Sequence, residues 1–204
     1  MTLSSPDQLN QIILLGIEEI IGMAETKSLL TRANPPEWNH PDRSDPQGTS
    51  YSFHFANQLQ TSLEKNYGLL AGRGLAVRAG RACFKHILRE FAPEMGVMDP
   101  EARLLPLPGR INTTLRSLAG LFNQQIGLHI EVAPEADYIR WNIEQCNFCG
   151  DRQSSDPVCY FTVGLLEELL YWTSAGKFYR VEETHCIGCG DPYCSFQIKK
   201  QPFK

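Results

Sequence analysis

Six of the seven cysteines, Cys146, Cys149, Cys159, Cys186, Cys189 and Cys194, crowd into 49 consecutive positions, and only Cys83 lies outside them. The N-terminal residues MTLSSPDQLNQ lack a basic stretch followed by an apolar core, so no secretory signal is expected and the cytoplasm is the expected compartment. Thiols kept reduced read as metal ligands, reactive groups or small core residues rather than as disulfides. The C-terminal third is therefore where chemistry is expected.

A chain of 204 residues with 42% hydrophobic and 21% charged residues is long enough to bury a core and has ordinary globular composition. A formal charge of -4 without a Lys/Arg cluster argues against a nucleic-acid footprint, which depends on concentrated positive charge. The longest apolar runs, such as Ile12 to Leu15, fall far short of the roughly 20 residues that cross a bilayer, so no transmembrane segment is expected and peripheral membrane association stays open. Residues 1–50, a helix and a proline-rich loop, are expected to belong to the same domain as residues 51–204.

The first half reads as helices separated by breaks. Leu9, Ile13, Ile17, Ile20 and Ile21 recur at helical spacing between Pro6 and about Leu30, with an interruption near Gly22. The segment 34–50 reads as a polar loop. A second helix carries Phe55, Leu59 and Leu63; a third is expected after Gly68 to Gly74, with Leu75, Ala79, Phe84, Ile87, Leu88 and Phe91 as its stripe. The glycines of GLLAGRGLAVRAGR invite comparison with phosphate-binding loops, but no strand precedes them and no Gly-Lys-Ser/Thr follows, so close helix packing is the better reading.

After a proline-rich loop from Pro93 to Pro108, Ile111, Leu115, Leu118, Phe122 and Ile126 mark a fourth helix ending near Gly127. The period then changes: His129 to Val132 and Tyr138 to Glu144 alternate as two antiparallel strands. His129 reads as a strand residue, not a ligand. Asp156-Pro157 reads as N-cap and first helical position, which puts Cys159 in the first turn, where backbone N–H groups and the helix dipole favour a thiolate. Val158, Phe161, Leu165, Leu169 and Trp172 form that helix's expected buried face, with Gly176 as the stop.

Phe178 to Cys186 and Tyr193 to Lys199 read as a hairpin whose glycine and Asp-Pro turn sets Cys186 opposite Cys194. Glu183 lies three residues before Cys186, so a regular strand would point the two to opposite faces; a bend or bulge has to bring both inward. Cys159, Cys186, Cys194 and an acidic residue make a plausible tetrahedral zinc set, structural because it keeps no open position. Cys146-x-x-Cys149 leaves three readings open: a second ligand set with Cys186 or Cys194, an iron–sulfur cluster, or a free dithiol. His185 reads as a surface or supporting residue, and Cys189 is less well placed than the others.

The stretch from Pro157 to Phe196, PVCYFTVGLLEELLYWTSAGKFYRVEETHCIGCGDPYCSF, resembles the C-terminal half of the 4-vinyl-reductase, hydrocarbon-binding domain family. The residues that carry the likeness are Cys159 at a helix start, Glu183-x-x-Cys186, Gly190, and Cys194-x-Phe196; YGLLAGRGLAVRAGR fits more loosely. The resemblance implies an α/β (α+β) fold, an antiparallel sheet packed with helices and related to vesicle-tethering subunits, with a metal site at the C-terminal hairpin. It implies a homodimer or a heterodimer with a related domain, and an apolar small-molecule ligand. In the family's sensor domains a zinc ion is held by three Cys and one Glu beside the ligand pocket, which carries over to Cys159, Glu183, Cys186 and Cys194. Cys146 and Cys149 depart from that pattern.

The resemblance further implies an accessory protein that binds a tetrapyrrole or other apolar ligand in chlorophyll biosynthesis or photosystem assembly. Trp141, Phe161 and Trp172 are the candidate pocket residues, each also at a position that core packing explains. The alternatives are a vinyl reductase of tetrapyrrole synthesis, which would need an outside hydride donor because no nucleotide fingerprint is evident, and a cysteine-based metal or redox sensor. No ATPase or DNA-binding segment follows within these residues, so a complete transcription activator is not expected.

Overall fold

The computed structural model describes residues 5–33, 51–146, 148–150 and 152–203; the polar loop expected at 34–50 lies outside them. Helix α1 spans Ser5–Ile21 and α2 spans Met23–Ala33, separated at Gly22, whose φ of 84° is the break the sequence signalled. Helix α3 runs over Tyr51–Tyr67 and buries Leu59 and Leu63; the side chain of Phe55 is outside the description.

Helix α4, Leu69–Met95, begins earlier and ends later than expected. Its glycines are helical because they are contact points. A Cβ on Gly72 would lie 2.4 Å from the backbone of Glu64 on α3, and one on Gly80 would lie 2.1 Å from the Phe161 carbonyl oxygen. The loop expected from Pro93 is a correction too: Pro93 sits in the last turn of α4, which Gly96 closes in the left-handed region, and a short helix α5, Pro100–Leu104, follows.

Helix α6, Leu107–Ile126, carries the expected stripe and ends at Gly127 (φ 62°). Strands β1 (Ile130–Pro134) and β2 (Tyr138–Ile143) pair antiparallel; helix α7 (Tyr160–Thr173) then leads to β3 (Tyr179–His185), a 3-10 turn at Ile187–Cys189 and β4 (Cys194–Pro202). The two expected hairpins are fused: β4 pairs with both β3 and β2, so the order is β1-β2-β4-β3, antiparallel throughout. The expected fold, helices packed on an antiparallel sheet, is the observed one. No helix among the described residues is long and apolar enough to cross a membrane.

Along the inner face of the sheet, Ile139, Trp141 and Ile143 of β2 stand opposite Ile198, Phe196 and Cys194 of β4. One buried cluster joins these side chains to α1, α4, α6 and α7. Helix α7 is enclosed more fully than its predicted stripe required: Leu166 and Leu170 are as buried as Leu165 and Leu169, while Trp172 is 36% exposed. Helices α4 and α7 approach closely through a reciprocal pair of glycines, since a Cβ on Gly164 would lie 1.9 Å from the Val77 carbonyl oxygen. That contact seats the start of α7, and with it Cys159.

Candidate metal centre and adjoining cavity

Helix α7 starts three residues later than Asp156-Pro157 predicted, with Cys159 as the N-cap residue. Tertiary partners take over the capping. Glu183 Oε2 accepts the Cys159 N–H at 2.8 Å, and Gln60 of α3 bridges the start of the helix, its amide donating to the Val158 carbonyl while its Oε1 accepts the Phe161 N–H at 3.4 Å. A carboxylate at this end of a helix answers both the unpaired N–H groups and the dipole. Sequence reasoning missed Gln60; the available signal was a polar residue within the otherwise apolar stripe of α3.

The bend required between Glu183 and Cys186 is present. Glu183 pairs with Phe196 in the inward-facing register, a register shift follows between Glu183 and His185, and Cys186 is then turned inward. The turn holds itself: Asp191 Oδ2 accepts the Cys186 N–H at 2.8 Å, and Gly190 closes the 3-10 turn with φ 94°. Cys194 Sγ accepts the Ile187 N–H at 3.3 Å. His185 and Cys189 are exposed and lie apart from the inward-facing thiols, and His129 is exposed at the edge of β1.

Five thiols converge here. Cys146 Sγ lies 3.7 Å from Cys159 Sγ, Cys149 Sγ lies 3.6 Å from Cys194 Sγ, and Cys159 Sγ lies 3.9 Å from Cys194 Sγ. All are buried, as is Cys186. Two sets of four can each surround one ion, Cys146, Cys149, Cys159 and Cys194, or Cys159, Glu183, Cys186 and Cys194, with the ligand atoms of each within 4.8 Å of one another. A tetrahedral ion with metal–sulfur bonds near 2.3 Å needs sulfurs about 3.8 Å apart, and the observed spacings meet that. The cysteine cluster is thus able to hold a metal ion.

The electrostatics agree. Cys149 is held well below an ordinary thiol, because Cys146 and then Cys159, Cys186 and Cys194 direct hydrogen bonds at its sulfur. Burial, followed by the neighbouring thiols, pushes Cys159 up, and hydrogen bonds with Cys146 and then Cys149 push Cys194 up as well. Cys186 falls to about 6: Cys149 opposes its ionisation, but hydrogen bonds from Cys159 and Cys194 outweigh that. Burial, then the Cys186 charge, lifts Glu183 to about 8. A low-dielectric pocket without a cation does not support several anions, whereas a divalent cation would ionise these ligands together. Glu183 Oε1 is also buried without a hydrogen-bond partner among the described residues.

Beside the thiols lies an apolar cavity. About 210 Å³ of atom-free space, in slots too narrow for a water molecule, is enclosed by Phe122, Ile130, Trp141, Ile143, Phe148, Thr162 and Leu165. Trp141 Nε1 and Thr162 Oγ1 are buried there without hydrogen-bond partners among the described residues. Phe161 stacks on Phe148 with ring centroids 5.8 Å apart. Trp172 is not part of this group: it lines a separate cleft with Arg103, Arg110 and Thr114 and tilts against Phe84 at 6.3 Å.

Residues 139–200 match the 4-vinyl-reductase (V-4-R) domain. The match spans β2, the cysteine cluster, α7 and the terminal hairpin. Over 57 residues, 28% of this chain, the sequence is 35% identical to the uncharacterized protein MJ0745 of Methanocaldococcus jannaschii, and the match takes in 31% of that protein's length. The fold is also that of an H-NOX protein from S. oneidensis, solved in the Fe(II)NO ligation state, with a TM-score of 0.62, 11% identity and coverage of 99% of this chain and 100% of that one. The phenol-responsive sensory domain of the transcription activator PoxR, solved with phenol, has a TM-score of 0.52 and 15% identity over 72% of this chain and 73% of its own. The domain match bears out the vinyl-reductase-type resemblance carried by Cys159, Glu183, Cys186 and Cys194.

Proposed function

We propose that the chain is a cytoplasmic small-molecule-binding protein in which a compact apolar ligand with one polar group occupies the cavity under Trp141, while a zinc-type cation clamps the hairpin to α7. The observation that carries the ligand reading is the pair of unpartnered polar atoms, Trp141 Nε1 and Thr162 Oγ1, in an otherwise apolar enclosure. Buried polar groups without partners are costly, and a ligand hydroxyl supplies what both lack. Phenol, the ligand solved with the PoxR sensory domain, has this chemistry. Because the slots exclude even water, binding requires side chains to part, and Phe148, flanked by the paired thiols of Cys146-x-x-Cys149, is positioned to report that movement to the metal centre.

Structural clamping is the role proposed for the cation. Cys159, Glu183, Cys186 and Cys194 come from the start of α7 and from both sides of the hairpin turn, so one ion ties together elements that local interactions leave separate. Glu183 would hold the ion with one oxygen while the other accepts the Cys159 N–H.

The finer role, assistance in chlorophyll biosynthesis or photosystem assembly with a tetrapyrrole ligand, rests on the resemblance, as does pairing with a second copy or a related domain. A tetrapyrrole is many times larger than the enclosed space and would need the helices to separate. Calorimetric titration with phenol, cyclohexane and a soluble porphyrin distinguishes these readings. Binding of phenol that weakens in Trp141→Phe supports the compact ligand; binding of porphyrin alone transfers the role to the tetrapyrrole, and heat from none of the three rejects both.

A further inference from the structure

The two sets of four ligands are not independent, for Cys159 and Cys194 belong to both. The geometry points to a two-ion centre: one thiophilic divalent cation held by Cys146 and Cys149, a second by Glu183 and Cys186, and the Cys159 and Cys194 thiolates shared between them. This goes beyond the single clamping ion, since it assigns the Cys146-x-x-Cys149 pair a second ion of its own.

Three observations lead to it. A single tetrahedral ion leaves two buried ligands over whichever set it takes, either Cys146 with Cys149 or Glu183 with Cys186. Glu183 Oε1 is already a buried acceptor without a partner among the described residues, and Cys149 Sγ lies 3.6 Å from Cys194 and 3.1 Å from the Cys146 carbonyl oxygen, pointing into the sulfur cluster. The shared pair are 3.9 Å apart, close to the edge of about 3.8 Å that a tetrahedron of sulfurs around zinc requires, so the same edge serves an ion on either side.

Charge counting favours the second ion. One divalent cation with four anionic ligands leaves two negative charges and two protonated, poorly paired groups in the interior. Two cations with five thiolates and one carboxylate leave the same two negative charges and no leftover ligand. The residual charge faces the N-terminal end of α7, where the helix dipole partly offsets it. An iron–sulfur cluster fits less well, because inorganic sulfide would separate thiolates on different irons more widely than the spacings seen here.

The test is metal stoichiometry. The full chain, purified under reducing conditions, loaded with zinc and freed of excess by gel filtration, should carry two zinc ions per chain by elemental analysis and native mass spectrometry. Cys146→Ser/Cys149→Ser and, separately, Glu183→Gln/Cys186→Ser should each halve that ratio to one. Cadmium-113 NMR of the loaded wild-type chain covers the case in which a variant does not fold: two resonances, each split by the other through the shared sulfurs, are expected. One ion per chain with a single cadmium resonance, or iron with acid-labile sulfide, overturns the two-ion centre. The single ion at Cys159, Glu183, Cys186 and Cys194 survives the first of those outcomes but not the second, and the cavity's ligand is untouched by either.

Discussion

Glu183 accepts the backbone N–H of Cys159 at 2.8 Å, joining two residues 24 apart in the sequence across the gap between a helix start and a β-hairpin. The contact gives the carboxylate two tasks, capping α7 and facing the thiols, and substitutions can separate them. Glu183→Gln keeps an acceptor for the N–H but loses the anion, so zinc affinity measured by chelator competition should fall at least about tenfold with modest loss of metal-free stability. Glu183→Ala leaves the N–H unpaired as well and should cost roughly a further 1–3 kcal/mol. Equal metal-free stabilities for the two variants would refute the capping role.

Removal of metal should loosen the whole C-terminal end. If the clamp contributes several kcal/mol, chelation should lower the melting temperature by about 10 °C or more in a domain of this size. Differential scanning calorimetry with and without chelator reads this, and superimposable transitions would argue that no structural ion is present.

Thr162→Val tests the cavity from the opposite direction. The hydroxyl is buried without a partner among the described residues, so an isosteric methyl should raise unliganded stability by roughly 1 kcal/mol, about 2–4 °C in melting temperature, while weakening a hydroxylated ligand. A destabilised variant would mean that the hydroxyl is satisfied in solution.

The close passage of α4 and α7 makes Gly80→Ala and Gly164→Ala unusually costly for such small changes. Each added methyl would meet the other helix's backbone, at 2.1 and 1.9 Å, so each should cost at least about 1–3 kcal/mol in denaturant titrations and the pair should be non-additive. Gly74→Ala, which meets nothing within 4 Å on the same helix, is the control and should be neutral or mildly stabilising.

Arg152 ties the loop between Cys149 and Cys159 to the helical layer, because it pairs with Glu64 of α3 and both side chains are largely buried. Arg152→Ala strands the Glu64 charge and should cost about 3–5 kcal/mol, whereas replacing both partners with apolar residues should recover most of that loss. Chemical denaturation of the single and double variants provides the comparison.

The period of the apolar residues determined most of the helices and all four strands, because that signal is local: Ile111 to Ile126 and Tyr138 to Ile143 bury the positions their spacing marked. Local rules also located the Gly22 break, the Gly127 stop and the need for a bulge after Glu183. They failed where distant atoms prevailed over neighbouring ones. Asp156-Pro157 is a sound helix start by itself, yet Glu183 and Gln60 satisfy the N-terminal groups three residues later. Glycines 72 and 80 read as breakers, yet stay helical because another backbone occupies the space of their missing side chains. Cysteine crowding showed by itself that chemistry belongs between residues 146 and 194. Which sulfurs meet was decided only by the fusion of two hairpins through β4, which sets Cys194 beside Ile143 and so next to the segment carrying Cys146 and Cys149. Spacing along a chain specifies periodicity, but shared ligands require distances between segments that only packing sets.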